Sequence, residues 1–192
     1  HNQSRRQRQM CIRDSHAVAM MLGLTRRLYD SVRSTKEGAW RSNGKLTVEY
    51  MKTVRRIAGH TVGIIGFGDI GRAFATRMRS FGPTRIIAHD PYVPQTTADL
   101  YGVELVSLET LLGESDYVSI HTALTDETRH MINEDTLKLM KPTAILVNTA
   151  RGPVIDGNAL ASALQAGTIE AAGLDVTEIE PVESHDPLLG LP

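Results

Sequence analysis

The sequence contains a single cysteine, Cys11, and almost no net charge. One thiol excludes an internal disulfide and a metal site built from several cysteines, and it indicates a reducing compartment, for which we expect the cytoplasm. The 21 Lys and Arg residues nearly balance the 22 Asp and Glu residues. This balance gives no electrostatic reason to expect binding to nucleic acid or to an anionic membrane surface.

Long apolar runs and clusters of metal ligands are also missing. No apolar run approaches the roughly 20 residues that a membrane-spanning helix needs, so we expect no transmembrane segment. No group of His, Cys, Asp and Glu has the spacing of a metal site, so we expect no metal. The remaining composition, 41% apolar and 22% charged, is that of an ordinary folded domain.

The two ends differ from the rest of the sequence. The first 15 residues carry four arginines, three glutamines and few apolar residues, so they have no apolar face to bury. We therefore expect residues 1–15 to be a disordered or non-native leader, and the folded domain to occupy residues 16–192. The apolar segment at the other end stops without a cap, which favours a fragment of a longer protein.

Short apolar runs alternate with helical patterns between the two ends. A long amphipathic helix is predicted first, over residues 16–36. Strands are predicted at 61–66, 85–89, 102–106, 116–121, 144–148 and 170–175, with helices between them at 69–81, 107–112, 126–130, 133–140 and 156–166. Strands that alternate with helices predict an α/β fold with a doubly wound parallel sheet.

A glycine-rich run, Gly66-x-Gly68-x-x-Gly71, follows the first predicted strand and opens the next helix. Gly66 allows a tight turn, Gly68 lets the backbone approach a pyrophosphate, and Gly71 lets the helix pack closely on the strand. The helix N-terminus adds free N–H groups and a partial positive charge. The run therefore predicts a Rossmann-type domain that binds a dinucleotide.

An acidic residue at the end of the second strand completes this pattern. A carboxylate at Asp90 accepts hydrogen bonds from ribose hydroxyls and repels a 2′-phosphate, which favours NAD over NADP. Two alternatives stay open at this point. Asp90 caps a turn before Pro91, or the glycine turn belongs to a methyltransferase that binds S-adenosylmethionine.

Three further segments follow the later strands. They are His121-Thr-Ala-Leu-Thr125, Asn148-Thr-Ala-Arg151-Gly-Pro-Val-Ile-Asp156, and the run from Gly173-Leu-Asp175 to Glu180-Pro181. With these segments, the chain from residue 16 onward resembles the NAD-binding domain of the D-isomer-specific 2-hydroxyacid dehydrogenase family. Asp90-Pro91-Tyr92 and His130 are similar to its phosphoglycerate dehydrogenase, hydroxypyruvate reductase and C-terminal-binding-protein branches. The resemblance disfavours the methyltransferase.

The resemblance implies an NAD-dependent oxidoreductase that interconverts a D-2-hydroxy acid and a 2-oxo acid. Arg151 would hold the substrate carboxylate, a role that its planar guanidinium and its place after a strand also favour. Glu180 would support a catalytic histidine whose place in the family lies beyond Pro192. The expected cofactor contacts are Gly66, Gly68, Asp69, Ile70, Gly71, Asp90, His121, Thr122, Thr149, Ala150, Arg151 and Asp175. We expect the Asp69 side chain to point to solvent, because an inward carboxylate would repel a pyrophosphate.

The resemblance also implies a small-molecule partner, a 2-hydroxy or 2-oxo acid, and a homodimer. The helix at 16–36, with Gly38 and Trp40, matches the part of the family that packs across a two-fold axis. Packing of this helix on the chain's own sheet is the alternative. The alternative function is a non-catalytic protein that senses NAD(H) and changes its assembly state, as in the corepressor branch of the family.

Overall fold

The computed structural model describes the backbone of residues 2–39 and 53–191 and the side chains from residue 12 onward. The helices are α1 (Asn2–Thr25), α2 (Leu28–Lys36), α3 (Asp69–Arg79), α4 (Gln95–Asp99), α5 (Leu108–Glu114), α6 (Glu134–Leu137) and α7 (Gly157–Gln165). The strands are β1 (Thr61–Ile65), β2 (Arg85–His89), β3 (Glu104–Leu105), β4 (Tyr117–Ile120), β5 (Ile145–Asn148) and β6 (Ala171–Leu174). Short 3₁₀ turns lie at Gly152–Val154 and Pro187–Gly190.

The six strands form one parallel sheet in the order β3-β2-β1-β4-β5-β6. The strand order reverses between β1 and β4. From β1 the chain continues to β2 and β3 on one side of the sheet, and from β4 it continues to β5 and β6 on the other side. A crevice therefore opens at their carboxyl ends, where open α/β sheets bind ligands. The predicted fold class, a doubly wound parallel sheet, is confirmed.

The core lies on both faces of this sheet. On one face, α5, α6 and α7 cover side chains such as Ile65, Val118 and Leu146. On the other face, α1 and α3 cover alternate positions of the same strands, including Ile64 and Val147. Because both faces are covered, the central strands are mainly apolar, which explains why they appear as nearly continuous apolar runs in the sequence.

The first predicted helix is divided in two. α1 ends at Thr25, and Arg27 adopts a left-handed conformation (φ 49°) before α2 begins at Leu28. A left-handed residue ends a helix because it turns the chain away from the helix axis. The single helix predicted over residues 16–36 is therefore wrong. Leu28 and Tyr29 on α2 are 58% and 90% exposed.

Residues 2–15 are helical and continue α1 toward the N-terminus. That residues 1–15 are a disordered or non-native leader stays a prediction. Asp14 is buried, and its carboxylate lies 2.8 Å from the guanidinium of Arg77 on α3. A buried carboxylate needs such a partner, because desolvation penalises an isolated charge.

Two other differences concern short elements. Residues 126–130 form a turn and not a helix, because the hydroxyl groups of Thr125 and Thr128 bond the backbone of this segment. The sequence also missed α4, which is too short to show a helical period. Trp40 and the polar link at 41–45 lie outside the described residues. Within the described part of the chain, no helix combines the length and the apolar character that crossing a bilayer requires.

Candidate functional site

The turn between β1 and α3 is held in place by close backbone contacts. Gly66 has a φ of 88°, and a Cβ atom there would lie 2.7 Å from the backbone nitrogen of Thr122. A Cβ atom on Gly71 would collide with the carbonyl oxygen of Gly66. Two of the three glycines are therefore required by the packing of the turn itself, whether or not a ligand is bound.

Gly68 is different, because a Cβ atom there would meet no atom within 4 Å. It is the N-cap residue of α3 and offers no side chain to the free N–H groups of the first helical turn. The N-terminus of α3 therefore combines unsatisfied donors with open space, which suits a phosphate group. Asp69 does not fill this space: its side chain is 81% exposed, with Arg72 at 4.0 Å, in agreement with the expected solvent orientation.

Asp90 links the glycine turn to the end of β2. One oxygen of its carboxylate accepts a hydrogen bond from the backbone N–H of Phe67 at 2.8 Å, and the other accepts one from the N–H of Tyr92 at 3.0 Å. The carboxylate is thus held at the crevice, beside the residue that follows Gly66. Each oxygen keeps further lone pairs that can accept from a ribose hydroxyl.

Tyr92 and Glu127 join the loops that follow β2 and β4. The phenol of Tyr92 donates to a carboxylate oxygen of Glu127 at 3.2 Å. The negative charge of Glu127 raises the pKa of Tyr92 above its ordinary value, with a smaller contribution from Asp90. The phenol therefore stays protonated and acts as the donor of this bond.

His121 follows β4 and turns its imidazole into the protein. The ring lies 4.9 Å from the ring of Phe74, and Nε2 is 2.9 Å from the hydroxyl of Ser119. Burial lowers the pKa of His121 to about 3, because desolvation penalises the charged form. The imidazole is therefore neutral at physiological pH. The backbone N–H of His121 bonds to the carbonyl of Ile65 at 2.7 Å, so this residue joins β4 to the glycine turn.

Asn148, to which the sequence assigned no role, shapes the turn after β5. Asn148 is fully buried; its amide donates to the carbonyl of Arg151 at 3.0 Å and accepts from the N–H of Ala150 at 3.0 Å. The signal was an asparagine at the end of a buried strand, a position where its amide mimics a backbone turn. Arg151 is exposed, and its guanidinium donates to the carbonyl of Ala150 at 2.6 Å. Its other N–H groups remain to bind an anion.

Thr149 and Asp175 lie at the same edge of the sheet. Thr149 is 4% exposed, and its hydroxyl has no hydrogen-bond partner among the described residues. The backbone N–H of Asp175 donates to the carbonyl of Asn148 at 3.0 Å, which brings the ends of β5 and β6 together. The carboxylate of Asp175 lies 3.2 Å from Nε2 of His16.

Glu180 lies in the loop that follows β6, against the turn that carries Arg151. A Cβ atom on Gly152 would overlap the carbonyl of Thr177, so the two segments touch through their backbones. One carboxylate oxygen of Glu180 accepts from the N–H of Thr177 at 3.2 Å. The neighbouring Glu178, which the sequence did not single out, binds Nε2 of His130 at 2.6 Å and the N–H of Gly157 at 3.2 Å. Glu178 therefore ties this loop to α7.

None of the described histidines is the partner of Glu180. Each has a different neighbour: His16 contacts Asp175, His60 contacts Ala58, His89 contacts Val106, His121 contacts Ser119, His130 contacts Glu178, and His185 contacts Glu183. A group of three or more metal-ligating side chains is also not found in residues 12–39 and 53–191. The site consists of glycine backbone, carboxylates and one exposed arginine.

The site residues from five strands thus meet at one edge of the sheet. Gly66 follows β1, Asp90 follows β2, His121 follows β4, Arg151 lies in the turn after β5, and Asp175 follows β6. A parallel sheet with a glycine turn, an uncapped helix N-terminus and an acid at the end of the second strand defines a dinucleotide-binding domain. The comparisons with known proteins give its family.

Residues 18–192 match the model of the D-isomer specific 2-hydroxyacid dehydrogenase family, NAD binding domain. The chain belongs to this family, as the resemblance implied. It is 46% identical over 175 residues to a glyoxylate reductase of Korarchaeum cryptofilum, covering 91% of this chain and 52% of the relative. It is 43% identical over 165 residues to a hydroxypyruvate reductase of Thermotoga maritima, covering 86% and 50%.

Among solved structures, the NAD-dependent formate dehydrogenase of Staphylococcus aureus in complex with NAD superposes with a TM-score of 0.84 and 30% identity. The superposition covers 94% of this chain and 52% of that chain. The chain spans about half the length of these relatives.

Proposed function

We propose that residues 16–192 form the NAD-binding domain of an NAD-dependent oxidoreductase that interconverts a D-2-hydroxy acid and a 2-oxo acid. One observation carries the proposal: Asp90, at the end of β2, accepts the N–H of Phe67 inside the glycine turn. A carboxylate held there selects ribose hydroxyls, while the N-terminus of α3 receives the phosphates. The family's relatives are reductases of small 2-oxo acids by name, which favours the enzyme over the sensor.

The described residues fit NAD along the whole crevice. Gly68 leaves open space where the pyrophosphate would lie, and Asp90 lies on the half of the sheet that receives adenosine. The nicotinamide half would lie over the ends of β4, β5 and β6. There the unpartnered hydroxyl of Thr149 and the carboxylate of Asp175 can bond the ribose and the carboxamide. The remaining expected contacts are Ile70, in the first turn of α3, and Thr122 and Ala150, which follow β4 and β5 in the chain.

The bound cofactor would supply the hydride in the reduction of the 2-oxo acid. Arg151 would bind the carboxylate of the acid through its guanidinium, and this would also polarise the adjacent carbonyl. Glu180 would hold a protonated histidine that delivers a proton to the carbonyl oxygen. Because the described histidines have other partners, this proton donor would come from elsewhere in the whole protein.

The remaining proposals concern assembly and location. A homodimer would cover the exposed apolar side chains of α2, Leu28, Tyr29 and Val32. The small-molecule partner would be a 2-hydroxy or 2-oxo acid, and nucleic acid and membranes would not be partners. The location would be the cytoplasm, which rests on the single cysteine.

A substitution at Gly68 tests the proposal directly. Gly68→Ala adds a methyl group where the free protein has space, so it causes no clash and should change the free energy of unfolding by no more than about 1 kcal/mol, the cost of alanine at an N-cap. The same methyl group occupies the place of the pyrophosphate, so we expect the affinity for NADH to fall by about tenfold or more, measured by fluorescence titration.

Gly113→Ala is the matched control, because Gly113 lies on α5 and its added Cβ would find the nearest atom at 3.8 Å. This variant should bind NADH as the wild type does. The proposal fails if the wild-type chain does not bind NADH, or if Gly68→Ala binds it with unchanged affinity.

A further inference from the structure

A contact between α1 and β6 reaches the nicotinamide end of the proposed site. Nε2 of His16 lies 3.2 Å from Oδ1 of Asp175, and the two side chains are 47% and 48% exposed. At this distance the imidazole and the carboxylate form an ion-pair contact. His16 comes from the first helix and Asp175 from the last strand, so only the fold brings them together.

The packing of α1 on β6 explains this contact. A Cβ atom on Gly173 would lie 2.9 Å from Leu24 and 3.1 Å from Met20, so α1 rests directly on the glycine. His16, Met20 and Leu24 are spaced by four residues and therefore share one face of the helix. Asp175 follows Gly173 by two residues and lies directly after the end of β6. The absence of a side chain at Gly173 lets α1 approach closely enough for His16 to reach Asp175.

Asp175 lies where the carboxamide of a nicotinamide would be bound. Its N–H is bonded to the carbonyl of Asn148, which places it at the ends of β5 and β6, on the opposite half of the sheet from Asp90. The two halves of a doubly wound sheet each bind one nucleotide, so this half receives the nicotinamide nucleotide. A carboxamide NH₂ group is a donor, and a carboxylate is its complementary acceptor.

We propose that His16 is a positioning residue for the nicotinamide end of the cofactor, acting through Asp175. Its imidazole lies 3.2 Å from one oxygen of the carboxylate, so the second oxygen is kept in place to accept the carboxamide N–H. An exposed aspartate without this contact would sample several rotamers, and binding would then have to order it. The inference rests on the proposed binding of NAD, and it concerns the nicotinamide nucleotide alone.

Binding of NADH and of ADP-ribose to the chain separates this role from a structural one. ADP-ribose carries the adenosine and the pyrophosphate but no nicotinamide. The variant His16→Phe keeps a ring and removes the polar nitrogen atoms. We expect it to lower the affinity for NADH by about threefold to tenfold. ADP-ribose should bind unchanged. His16→Gln, which keeps an N–H donor, should restore most of the NADH affinity.

The matched control is His185→Phe, because His185 also contacts a carboxylate, Glu183 at 3.0 Å, and is 82% exposed. It should leave both affinities unchanged. Unchanged NADH binding in His16→Phe, or an equal loss for both ligands, would overturn the positioning role. A wild-type chain that binds neither ligand would instead overturn the proposed binding of NAD, and this inference with it.

Discussion

The partly buried imidazole of His121 makes the stability of this domain sensitive to acid. Burial holds its pKa at about 3, against 6.5 for a free imidazole. At pH 5 the imidazole is therefore about 97% protonated in the unfolded chain and about 1% protonated in the folded one. The unfolded state binds more protons, so stability falls as the pH drops below 6.5 toward 3.

The size of this effect at pH 5 follows from the two pKa values. Linkage gives a loss of about 2 kcal/mol relative to pH 8. This loss of stability at pH 5 depends mainly on the pKa of the imidazole in the unfolded chain. A pKa one unit higher in the folded chain would change the loss by only about 0.1 kcal/mol. The loss of stability that corresponds to the full difference between the two pKa values would be reached only below pH 3, where many carboxylates also become protonated.

Urea unfolding at pH 8 and pH 5 measures the effect. Other groups also titrate in this range, so the quantity to compare is the change in unfolding free energy between wild type and His121→Asn. The asparagine keeps a polar group for Ser119 but does not titrate, and the pH-dependent loss should be smaller by about 2 kcal/mol in this variant. His185→Gln, at an exposed histidine, should keep the wild-type loss.

Two results would contradict this reasoning. The first is an equal loss of stability in wild type and His121→Asn between pH 8 and pH 5. The second is an imidazole proton resonance of His121 that titrates with a midpoint near 6.5 in the folded chain. Either would mean that water reaches the ring beside Phe74 and solvates its charged form.

Two further predictions concern the cofactor and the substrate. Asp90→Asn keeps a carbonyl oxygen for the N–H of Phe67 but removes the negative charge. The ratio of NADPH affinity to NADH affinity should therefore rise by about tenfold in fluorescence titrations. An unchanged ratio would mean that Asp90 does not select the cofactor. In the whole protein, Arg151→Gln should lower kcat/KM for glyoxylate and hydroxypyruvate by about 10-fold to 150-fold, and undiminished turnover would exclude Arg151 as the carboxylate ligand.

The sequence by itself determined the features that depend on short stretches of chain. The glycine turn was predictable because Gly66 needs a positive φ and Gly71 needs close contact with its neighbouring turn, both local requirements. The strands were predictable because a sheet covered on both faces has apolar residues at most positions of its central strands. Asp90 was identified by its distance from the glycine turn and its place after a strand.

The tertiary structure decided the partners of the side chains and the ends of some helices. The contacts of His16 with Asp175 and of His130 with Glu178 join residues far apart in the chain, and no local pattern records them. The division between α1 and α2 depends on one left-handed residue, Arg27, whose side chain does not favour that conformation. Local patterns specify backbone conformation over a few residues, whereas the packing of α1 and the loops on the finished sheet determines which side chains meet.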